Sequence, residues 1–320
     1  MAQEKIYDVM ILGAGPGGLA AGLYAGRAKL STLIIEKGID GGQIAITHDI
    51  ENYPGQASVD GESGLALVAP MVEQCRKFGC ERVNDIIVDC ELEGTVKTLI
   101  GSKGVYQAYS VIICTGAMTR FIGCKNEDKY IGRGVSYCAV CDAAFFKNME
   151  IYVVGGNNIA MEEALYLSKF ARKLTMIHKD ANLAGTKEVM EAVENADNIE
   201  VMLNTEIVEL GGEELLSEMI VKNTLTGELS TITADEEDGI FGLFGFTGKK
   251  TTGLFEGKIK LEDGYIPTNE KMETEIPGVY AAGDVRVTPL RQVVTACADG
   301  AIAATQCEKY VSKVKKNFNA

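Results

Sequence analysis

The stretch that decides the fold runs from Val9 to Lys37 and reads VMILGAGPGGLAAGLYAGRAKLSTLIIEK. An apolar run of strand length ends before Gly13, a helix-forming segment follows the glycines, and a second apolar run ends at Glu36. Strand, glycine turn, helix and strand in this order form the opening βαβ unit of a doubly wound sheet. The glycines from Gly13 to Gly18 fit the GxGxxG pattern of a dinucleotide-binding turn.

The same pattern recurs in the segment Ile151–Lys179, IYVVGGNNIAMEEALYLSKFARKLTMIHK. Gly155 aligns with Gly13, and His178 aligns with Glu36. Short alternating segments that read as β-hairpins follow each copy, near residues 85–109 and 206–233, and each copy closes with an apolar strand and a glycine turn. This self-similarity predicts an α/β fold with two Rossmann-like, three-layer domains of the FAD/NAD(P)-binding type.

A further apolar strand and turn, GVYAAGDV from Gly278, lies late in the chain. Because this strand must return to a nucleotide site, we predict that the second domain is inserted in the first. The predicted domains are residues 1–118 with 247–320, and residues 119–246, with hinges near 117–120 and 244–247. Two independent tandem domains are the alternative.

The composition narrows the possible functions. With 320 residues, 46% of them apolar, the chain has room for two cores. A net charge of −14 argues against generic nucleic-acid binding, which needs a basic footprint. No apolar run approaches the roughly 20 residues of a membrane span, and Asp8 interrupts the N-terminal run, which argues against a signal peptide. We therefore expect a cytoplasmic protein with no nucleic-acid or membrane partner. The only histidines, His48 and His178, exclude a histidine-rich metal site.

Two of the nine cysteines, Cys138 and Cys141, form a C-x-x-C motif. Structural zinc needs four ligands and usually a second such pair, which the sequence lacks, so a redox-active dithiol is the preferred interpretation. The following residues AAFF read as a helix start, which would help to lower a thiol pKa. Most of the other seven cysteines are expected to act as small buried hydrophobes; the seven are Cys75, Cys80, Cys90, Cys114, Cys124, Cys297 and Cys307.

Three further segments accompany the first glycine loop: GGQIAITHDIENYPG from Gly41, CTGA from Cys114 and YAAGDVRVTPLRQVVTACADGAIAA from Tyr280. Together they resemble the flavin-binding motifs of the low-molecular-weight thioredoxin reductases, along almost the whole chain. The resemblance implies FAD as cofactor, thioredoxin as partner and a homodimer. The residues expected to contact FAD are Gly13, Gly15, Pro16, Gly17, Glu36, Lys37, Gly42, Gln43, Asn52, Gly116, Asp284, Arg291, Gln292 and Val293.

Some of these roles can be specified further. Gly15 lets the backbone approach a pyrophosphate, and Glu36 is placed to bind a ribose hydroxyl. By the resemblance, Asp284 would bond the ribityl chain, and a helix starting near Gln292 would direct its N-terminus at the flavin ring, where it favours the anionic reduced flavin.

The resemblance also assigns roles to the dithiol. Cys141 would face the flavin, Cys138 would attack the disulfide of the partner, and Asp142 would act as general acid. The alternative for Asp142 is a helix N-cap or a surface carboxylate. The inserted domain would rotate between the flavin and thioredoxin, as it does in that family.

The second glycine loop departs from the pattern of the NADPH-dependent members. Asn157 occupies the position that matches Gly15, where a side chain would obstruct the approach of a pyrophosphate. In HKDANLA, which begins at His178, Asp180 and Ala184 stand where arginines would clamp the 2′-phosphate. Each lost charge-assisted bond costs roughly 1.5–3 kcal/mol. The pattern looks most like the ferredoxin-dependent flavin thioredoxin reductases, which lack the NADPH motifs.

Two other interpretations stay open: an NADPH-dependent thioredoxin reductase with a degenerate loop, and a flavin-bearing redox sensor. An acidic ferredoxin would need a basic docking face on this acidic chain, although each candidate cluster could equally be solvated surface. The candidate cations are Lys125, Lys129, Arg133 and Lys147; Lys169, Arg172 and Lys173; and Lys313, Lys315 and Lys316.

Overall fold

The computed structural model describes residues 5–46, 50, 52–56, 63–117, 121–246 and 252–318. The chain forms two compact units: a discontinuous unit, Met1–Met118 with Lys250–Ala320, and an inserted unit, Thr119–Lys249. Residues 118–120 and 247–251 lie outside the described ranges, so the exact domain boundaries stay predictions.

The elements follow one another in the order expected for two α/β units. The first part of the chain forms β1 (Ile6–Leu12), α1 (Pro16–Arg27), β2 (Thr32–Glu36), α2 (Ser63–Lys77), β3 (Glu81–Asn84), β4 (Ile87–Glu91), β5 (Lys97–Gly101) and β6 (Val105–Ile113). The inserted unit forms α3 (Glu127–Tyr130), β7 (Val135–Ser136), α4 (Ala139–Asp142), β8 (Glu150–Val154), α5 (Asn158–Leu167), β9 (Lys173–Ile177), α6 (Lys187–Glu194), β10 (Ile199–Met202), β11 (Thr205–Gly211), β12 (Glu218–Asn223), β13 (Leu229–Thr233) and β14 (Gly242–Gly245). The chain ends with β15 (Val279–Ala281) and α7 (Val293–Phe318), and short 3₁₀ helices span Gly42–Ile46, Ala143–Phe146, Gly253–Phe255 and Gly283–Val285.

The discontinuous unit is built on one mixed sheet with strand order β3-β2-β1-β6-β5-β4, and β15 pairs with β6. The strands β3, β2, β1, β6 and β15 run parallel, with Met10 of β1 opposite Leu33 of β2 and Val111 of β6. The apolar side chains of β1 from Val9 to Leu12 are buried, as expected for a parallel strand covered on both faces. The antiparallel pairs β4–β5 and β5–β6 confirm the first predicted hairpin region.

Helices α1 and α7 cover one face of this sheet and approach each other very closely. A Cβ on Gly300 would lie 2.1 Å from the carbonyl oxygen of Gly17, so only glycine fits there. This contact fixes the C-terminal helix against the helix that follows the first glycine loop.

The inserted unit contains a parallel sheet with strand order β10-β9-β8-β14-β7 and a separate antiparallel sheet, β11-β12-β13. The α/β fold with two parallel sheets of the Rossmann-like type is therefore confirmed. The antiparallel sheet confirms the second predicted hairpin region. Phe244, where the second predicted hinge begins, lies in β14, paired with Val153 of β8; the position of this hinge stays a prediction.

Phe244 is central to the core of the inserted unit. Its side chain is fully buried and meets the ring of Phe146 edge-on, with 5.6 Å between ring centroids. The rings of Phe244 and Phe246 stack with centroids 6.5 Å apart.

Replacing Phe244 with alanine should destabilise the inserted unit by about 3–5 kcal/mol, because a large buried ring is lost and a cavity is left. Urea unfolding followed by far-UV circular dichroism measures this change in the free energy of unfolding. The control is Leu225→Ala, at a side chain that is 76% exposed, which should cost less than about 0.5 kcal/mol. Equal effects of the two substitutions would contradict the assigned core.

Candidate active site

The first glycine loop joins β1 to α1 through backbone contacts that leave no room for side chains. Gly13 has a φ of +108°, and a Cβ there would lie 2.3 Å from the carbonyl oxygen of Cys114. A Cβ on Gly18 would lie 1.9 Å from the carbonyl oxygen of Gly13. Beside Gly15, in contrast, no atom of the described residues lies within 4 Å of the position that a Cβ would take. The loop is thus packed tightly at Gly13 and Gly18, and it is open at Gly15.

The open side of this loop suits a phosphate group. Gly15 precedes α1 and provides no side-chain cap for its N-terminus, and Pro16 is the first helical residue. The N–H groups of the first turn therefore face the open side, where a helix N-terminus attracts an anion. Gly42, with a φ of +59°, lies against the loop, since a Cβ there would be 3.5 Å from Gly15 Cα.

Glu36 ends β2 beside this loop. Its Oε2 accepts a hydrogen bond from the N–H of Ala14, and its Oε1 accepts one from the N–H of Gly38, each at 2.8 Å. These bonds fix the carboxylate, and each oxygen keeps a lone pair for a ribose hydroxyl. The neighbouring Lys37 is exposed at the same strand end.

Three of the other predicted contact residues take part in two hydrogen-bonded connections within the same unit, and a fourth lies beside one of them. Asn52 Nδ2 donates to Gln292 Oε1 over 2.9 Å. Gln43 Nε2 donates to the carbonyl oxygen of Ala117, next to Gly116, which has a φ of +68°. The structure therefore joins the Gly41, CTGA and C-terminal motifs that are far apart in sequence.

Thr115 marks an unsatisfied position in this site. Its Oγ1 is buried and has no hydrogen-bond partner among the described residues. Because buried hydroxyls are nearly always paired, this group is suited to a bound molecule that offers a polar atom. Thr115 was not singled out from the sequence, although it lies within the quoted CTGA motif.

Asp284 lies in the 3₁₀ turn Gly283–Val285 that follows β15. Burial raises the pKa of Asp284 to about 6, while the charge of Arg291 acts to lower it. The Arg291 Nε donates to the carbonyl oxygen of Asp284 over 3.3 Å, and its guanidinium stacks on the ring of Tyr265 at 4.0 Å. These contacts hold the Arg291 side chain against Asp284 and Tyr265.

Asp299 supports this turn and was missed in the sequence. Its Oδ2 accepts from the N–H of Gly283 over 3.1 Å and from Arg286 Nη1 over 3.2 Å. Burial raises the pKa of Asp299, and the neighbouring arginine opposes that effect. The signal in the sequence is a single carboxylate within the apolar stretch TACADGAIAA.

The predicted helix near Gln292 is confirmed as α7, which begins at Val293. The N–H of Gln292 donates to Thr295 Oγ1 over 3.1 Å, and the carbonyl oxygen of Gln292 accepts from the N–H of Ala296 over 2.9 Å. Gln292 therefore immediately precedes the helix and accepts its first main-chain hydrogen bond, and Val293 is the first helical residue.

Cys138 and Cys141 are joined by a disulfide bond, with 5.3 Å between their Cα atoms. Cys138 is half-buried and Cys141 is exposed. The prediction that a helix starts at the AAFF stretch was wrong. Cys138 is in extended conformation and immediately precedes α4, so helix formation begins at Ala139, and AAFF forms a 3₁₀ turn.

Asp142 lies at the end of α4 and is half-buried. Its side chain makes no capping hydrogen bond, so the N-cap interpretation was wrong. Its Oδ2 instead accepts a hydrogen bond from Ser136 Oγ, and the N–H of Cys138 donates to Ser136 Oγ over 3.1 Å. Burial raises the pKa of Asp142, and the bond from Ser136 acts in the opposite direction. Sequence reasoning missed Ser136.

The zinc alternative finds no support in the structure. Within the described ranges, no group of three or more His, Cys, Asp and Glu side chains could hold a metal ion. The two cysteine sulfurs are bonded to each other.

The second glycine loop joins β8 to α5 in the same strand, turn and helix order. Gly155 has a φ of +146°, and a Cβ there would lie 2.7 Å from Ala160 Cβ. The difference lies at Asn157, whose Oδ1 accepts a hydrogen bond from the N–H of Ala160 over 2.9 Å. This N-cap occupies a donor of the first turn that a pyrophosphate would otherwise use.

The segment that includes Ala184 covers the same loop. The N–H of Ala184 donates to the carbonyl oxygen of Gly156 over 2.6 Å, and the N–H of Thr186 donates to Asn158 Oδ1 over 3.1 Å. The imidazole of His178 lies directly against Gly156, since a Cβ there would be 2.5 Å from the ring. The loop is thus occupied by side chains and backbone of its own unit.

One unit contains a dinucleotide-binding loop and the other contains a C-x-x-C disulfide. This combination of sites is that of a flavoprotein disulfide oxidoreductase. Residues 7–300 match the family described as pyridine nucleotide-disulphide oxidoreductase. The chain belongs to this family. Its cofactor is FAD, and the tight glycine loop, the ribose-side carboxylate and the unpaired hydroxyl of Thr115 fit this group.

Relatives with closely similar sequences extend over the full chain. A protein named thioredoxin reductase from Peptoclostridium acidaminophilum is 51% identical over 310 residues, which cover 96% of this chain and 98% of that protein. The thioredoxin reductase of Bacillus subtilis is 43% identical, with 99% of each chain covered. The crystal structure of thioredoxin reductase from Streptococcus pyogenes matches with a TM-score of 0.87 and 38% identity, over 97% of this chain and 100% of that one.

In the part of the chain that the structure describes, no helix combines the length and apolar character needed to cross a bilayer.

The substitution Gly18→Ala should abolish or strongly reduce FAD retention, because its Cβ would lie 1.9 Å from a backbone oxygen that cannot move without displacing Gly13. The ratio of flavin to protein absorbance in the purified protein measures the retained FAD. The matched control is Gly253→Ala in the same unit, where no atom in the described part of the chain lies within 4 Å of the added Cβ. Equal, stoichiometric flavin in both variants would show that the loop does not hold the cofactor.

Proposed function

We propose that this protein is an FAD-dependent thioredoxin-disulfide reductase that takes its electrons from reduced ferredoxin, and not from NADPH. The close relatives named thioredoxin reductase support the reaction. The observation that supports the choice of donor is the second glycine loop, in which Asn157 caps α5 and residues 184–186 lie across the turn.

We assign the FAD site to the residues of the discontinuous unit. The pyrophosphate binds at the loop from Gly13 to Gly17 and the α1 N-terminus, and Glu36 with Lys37 binds the adenosine ribose. The remaining predicted residues bind the ribityl chain and the flavin ring; they are Gly42, Gln43, Asn52, Gly116, Asp284, Arg291, Gln292 and Val293. When bound, FAD can accept electrons singly and deliver them as a pair.

The Cys138–Cys141 pair carries out the exchange with thioredoxin. In the dithiol form, the thiolate of Cys138 attacks the thioredoxin disulfide, and one thioredoxin sulfur leaves with a proton. Cys141 then attacks Cys138 and releases the second thioredoxin sulfur, which restores the intramolecular disulfide. Asp142 holds and moves the proton in this exchange, since its raised pKa keeps it protonated to a higher pH than an ordinary carboxyl.

The electrochemistry is compatible with a ferredoxin donor. A plant-type ferredoxin lies near roughly −400 mV and thioredoxin near roughly −270 mV. Two electrons that fall through about 130 mV release about 6 kcal/mol. The transfer is therefore downhill without a pyridine nucleotide.

The structure reduces the list of cations available for an acidic donor. Lys125 pairs with Glu209, Lys173 with Glu200 and Lys315 with Asp8, at 2.6–2.9 Å. Arg172 is held by two aspartates of its own unit. No ion pair is seen within the described ranges for the other candidate cations, and we favour them as docking positions; they are Lys129, Arg133, Lys147, Lys169, Lys313 and Lys316. The homodimer and the cytoplasmic location stay predictions.

Anaerobic mixing of the oxidised holoenzyme with excess NADPH should leave the flavin absorbance unchanged, because the second loop offers no open phosphate site. Chemically reduced ferredoxin should bleach the flavin, and with oxidised thioredoxin present it should support many turnovers. Dithionite serves as the control that the flavin is reducible. Rapid bleaching by NADPH would contradict the proposal and favour the NADPH-dependent alternative. Absence of multiple turnover with every donor would favour a redox sensor.

Replacing Asp142 with asparagine should lower the rate of thioredoxin reduction roughly 10²-fold, which is the size of a general acid–base contribution. The raised pKa sets the sign of the pH effect: the acid form is present at low pH and is lost as the pH rises through that pKa. The wild-type rate should therefore fall as the pH rises through the pKa of Asp142, and the Asp142→Asn variant should not show this fall. The exposed carboxylate of Asp128 in the same unit provides the control, Asp128→Asn, which should change nothing. An unchanged pH profile in the Asp142 variant would exclude the role.

A further inference from the structure

Two cysteines outside the C-x-x-C motif are brought together by the end of α2. Gly79 has a φ of +79°, its N–H donates to the carbonyl oxygen of Arg76, and the N–H of Cys80 donates to the carbonyl oxygen of Cys75. This hydrogen-bond pattern is the Schellman motif that ends many helices. In that motif the side chains at the positions of Cys75 and Cys80 contact each other across the turn.

The surroundings of the two sulfurs confirm that they lie on the same side of α1. Cys75 Sγ lies 3.0 Å from the carbonyl oxygen of Leu19, and Cys80 Sγ lies 3.1 Å from that of Gly22. The two sulfurs are close enough for each thiol to shift the pKa of the other.

We propose that Cys75 and Cys80 form a second redox centre, a dithiol that closes to a disulfide at the C-terminus of α2. The proposal is independent of the electron donor and of the reaction at Cys138 and Cys141. It gives both cysteines a role beyond that of the small buried hydrophobes expected from the sequence.

The two thiols differ in exposure and in pKa, and these differences decide which of them reacts first with an oxidant. Cys80 is partly exposed, whereas Cys75 is buried. The hydrogen bond between them lowers the pKa of Cys80 and raises that of Cys75. Cys80 is therefore the thiol that meets an oxidant, and Cys75 is the resolving thiol.

The oxidation is balanced with a hydroperoxide as oxidant. The Cys80 thiolate takes one oxygen atom from hydrogen peroxide and becomes a sulfenic acid, and the second peroxide oxygen leaves as water after protonation. The Cys75 thiol then attacks the Cys80 sulfur, and the sulfenic oxygen leaves as a second water. Two thiols are oxidised to one disulfide, and one peroxide is reduced to two waters.

The sequence between the two cysteines makes the bond directly detectable. Trypsin cleaves after Arg76 and Lys77, so Cys75 falls in the peptide 38–76 and Cys80 in the peptide 78–82. The reduced holoenzyme is treated with hydrogen peroxide under anaerobic conditions, denatured, alkylated and digested. Mass spectrometry should find the two peptides linked, and dithiothreitol should separate them.

Two variants complete the experiment. In Cys138→Ser/Cys141→Ser the link between the two peptides should still form, which shows that the pair closes without the known disulfide. In Cys75→Ser the peptide 78–82 should instead carry a further oxidised or alkylated Cys80. Cys124, half-buried in the inserted unit, is the internal control and should stay alkylated.

The proposal is overturned if Cys80 is recovered alkylated at a peroxide dose that closes Cys138–Cys141. It is equally overturned if Cys80 is found only as sulfinic acid, or only linked to another cysteine of the same or a second chain.

Discussion

The close backbone approach at α1 is the constraint on which the discontinuous unit depends. Gly18 lies against the Gly13 carbonyl, and Gly17 lies against Gly300 of α7. Without side chains at these positions, α1 can be seated on β1 and, at the same time, α7 can be seated on α1. The second contact places Gln292 and Val293 in the same unit as the glycine loop, although nearly the whole chain separates them. The local loop geometry and the long-range assembly of the site thus both depend on close backbone contacts in the first turn of α1.

The inserted unit keeps the βαβ shape of a dinucleotide-binding unit, and under the proposed function it does so without a nucleotide ligand. Gly155 preserves the turn, and β8, α5 and β9 preserve the parallel packing. Asn157 supplies from within the chain the acceptor that a phosphate would have supplied. Under this proposal fold and ligand binding are separable: backbone sterics maintain the fold, and the Asn157 side chain together with residues 184–186 opposes nucleotide binding.

Much of the fold could be predicted because it follows from local patterns. The repeated strand–glycine–helix segments fixed the α/β class, and the period-2 segments fixed the hairpins. The C-x-x-C spacing predicted the dithiol, and an Asn at the position of Gly15 indicated an altered loop. The AAFF stretch was misassigned because the helix begins earlier, at Ala139, directly after the extended residue Cys138. Ser136, Thr115 and Asp299 could not be identified, since their roles come from hydrogen bonds or from their absence, which a single sequence does not encode. The Cys75–Cys80 contact depends on the left-handed turn at Gly79, a three-dimensional feature that spacing alone does not reveal.

The asparagine cap on α5 also bears on how the inserted unit is maintained in a cell. A domain that binds a metabolite is stabilised by mass action, so its folded fraction follows the concentration of that metabolite. Here Asn157 satisfies one N–H donor of the helix terminus. Under the proposed function, the module that carries the disulfide therefore gains no stability from a nucleotide pool, and starvation or changes in cofactor supply leave its folding equilibrium unchanged.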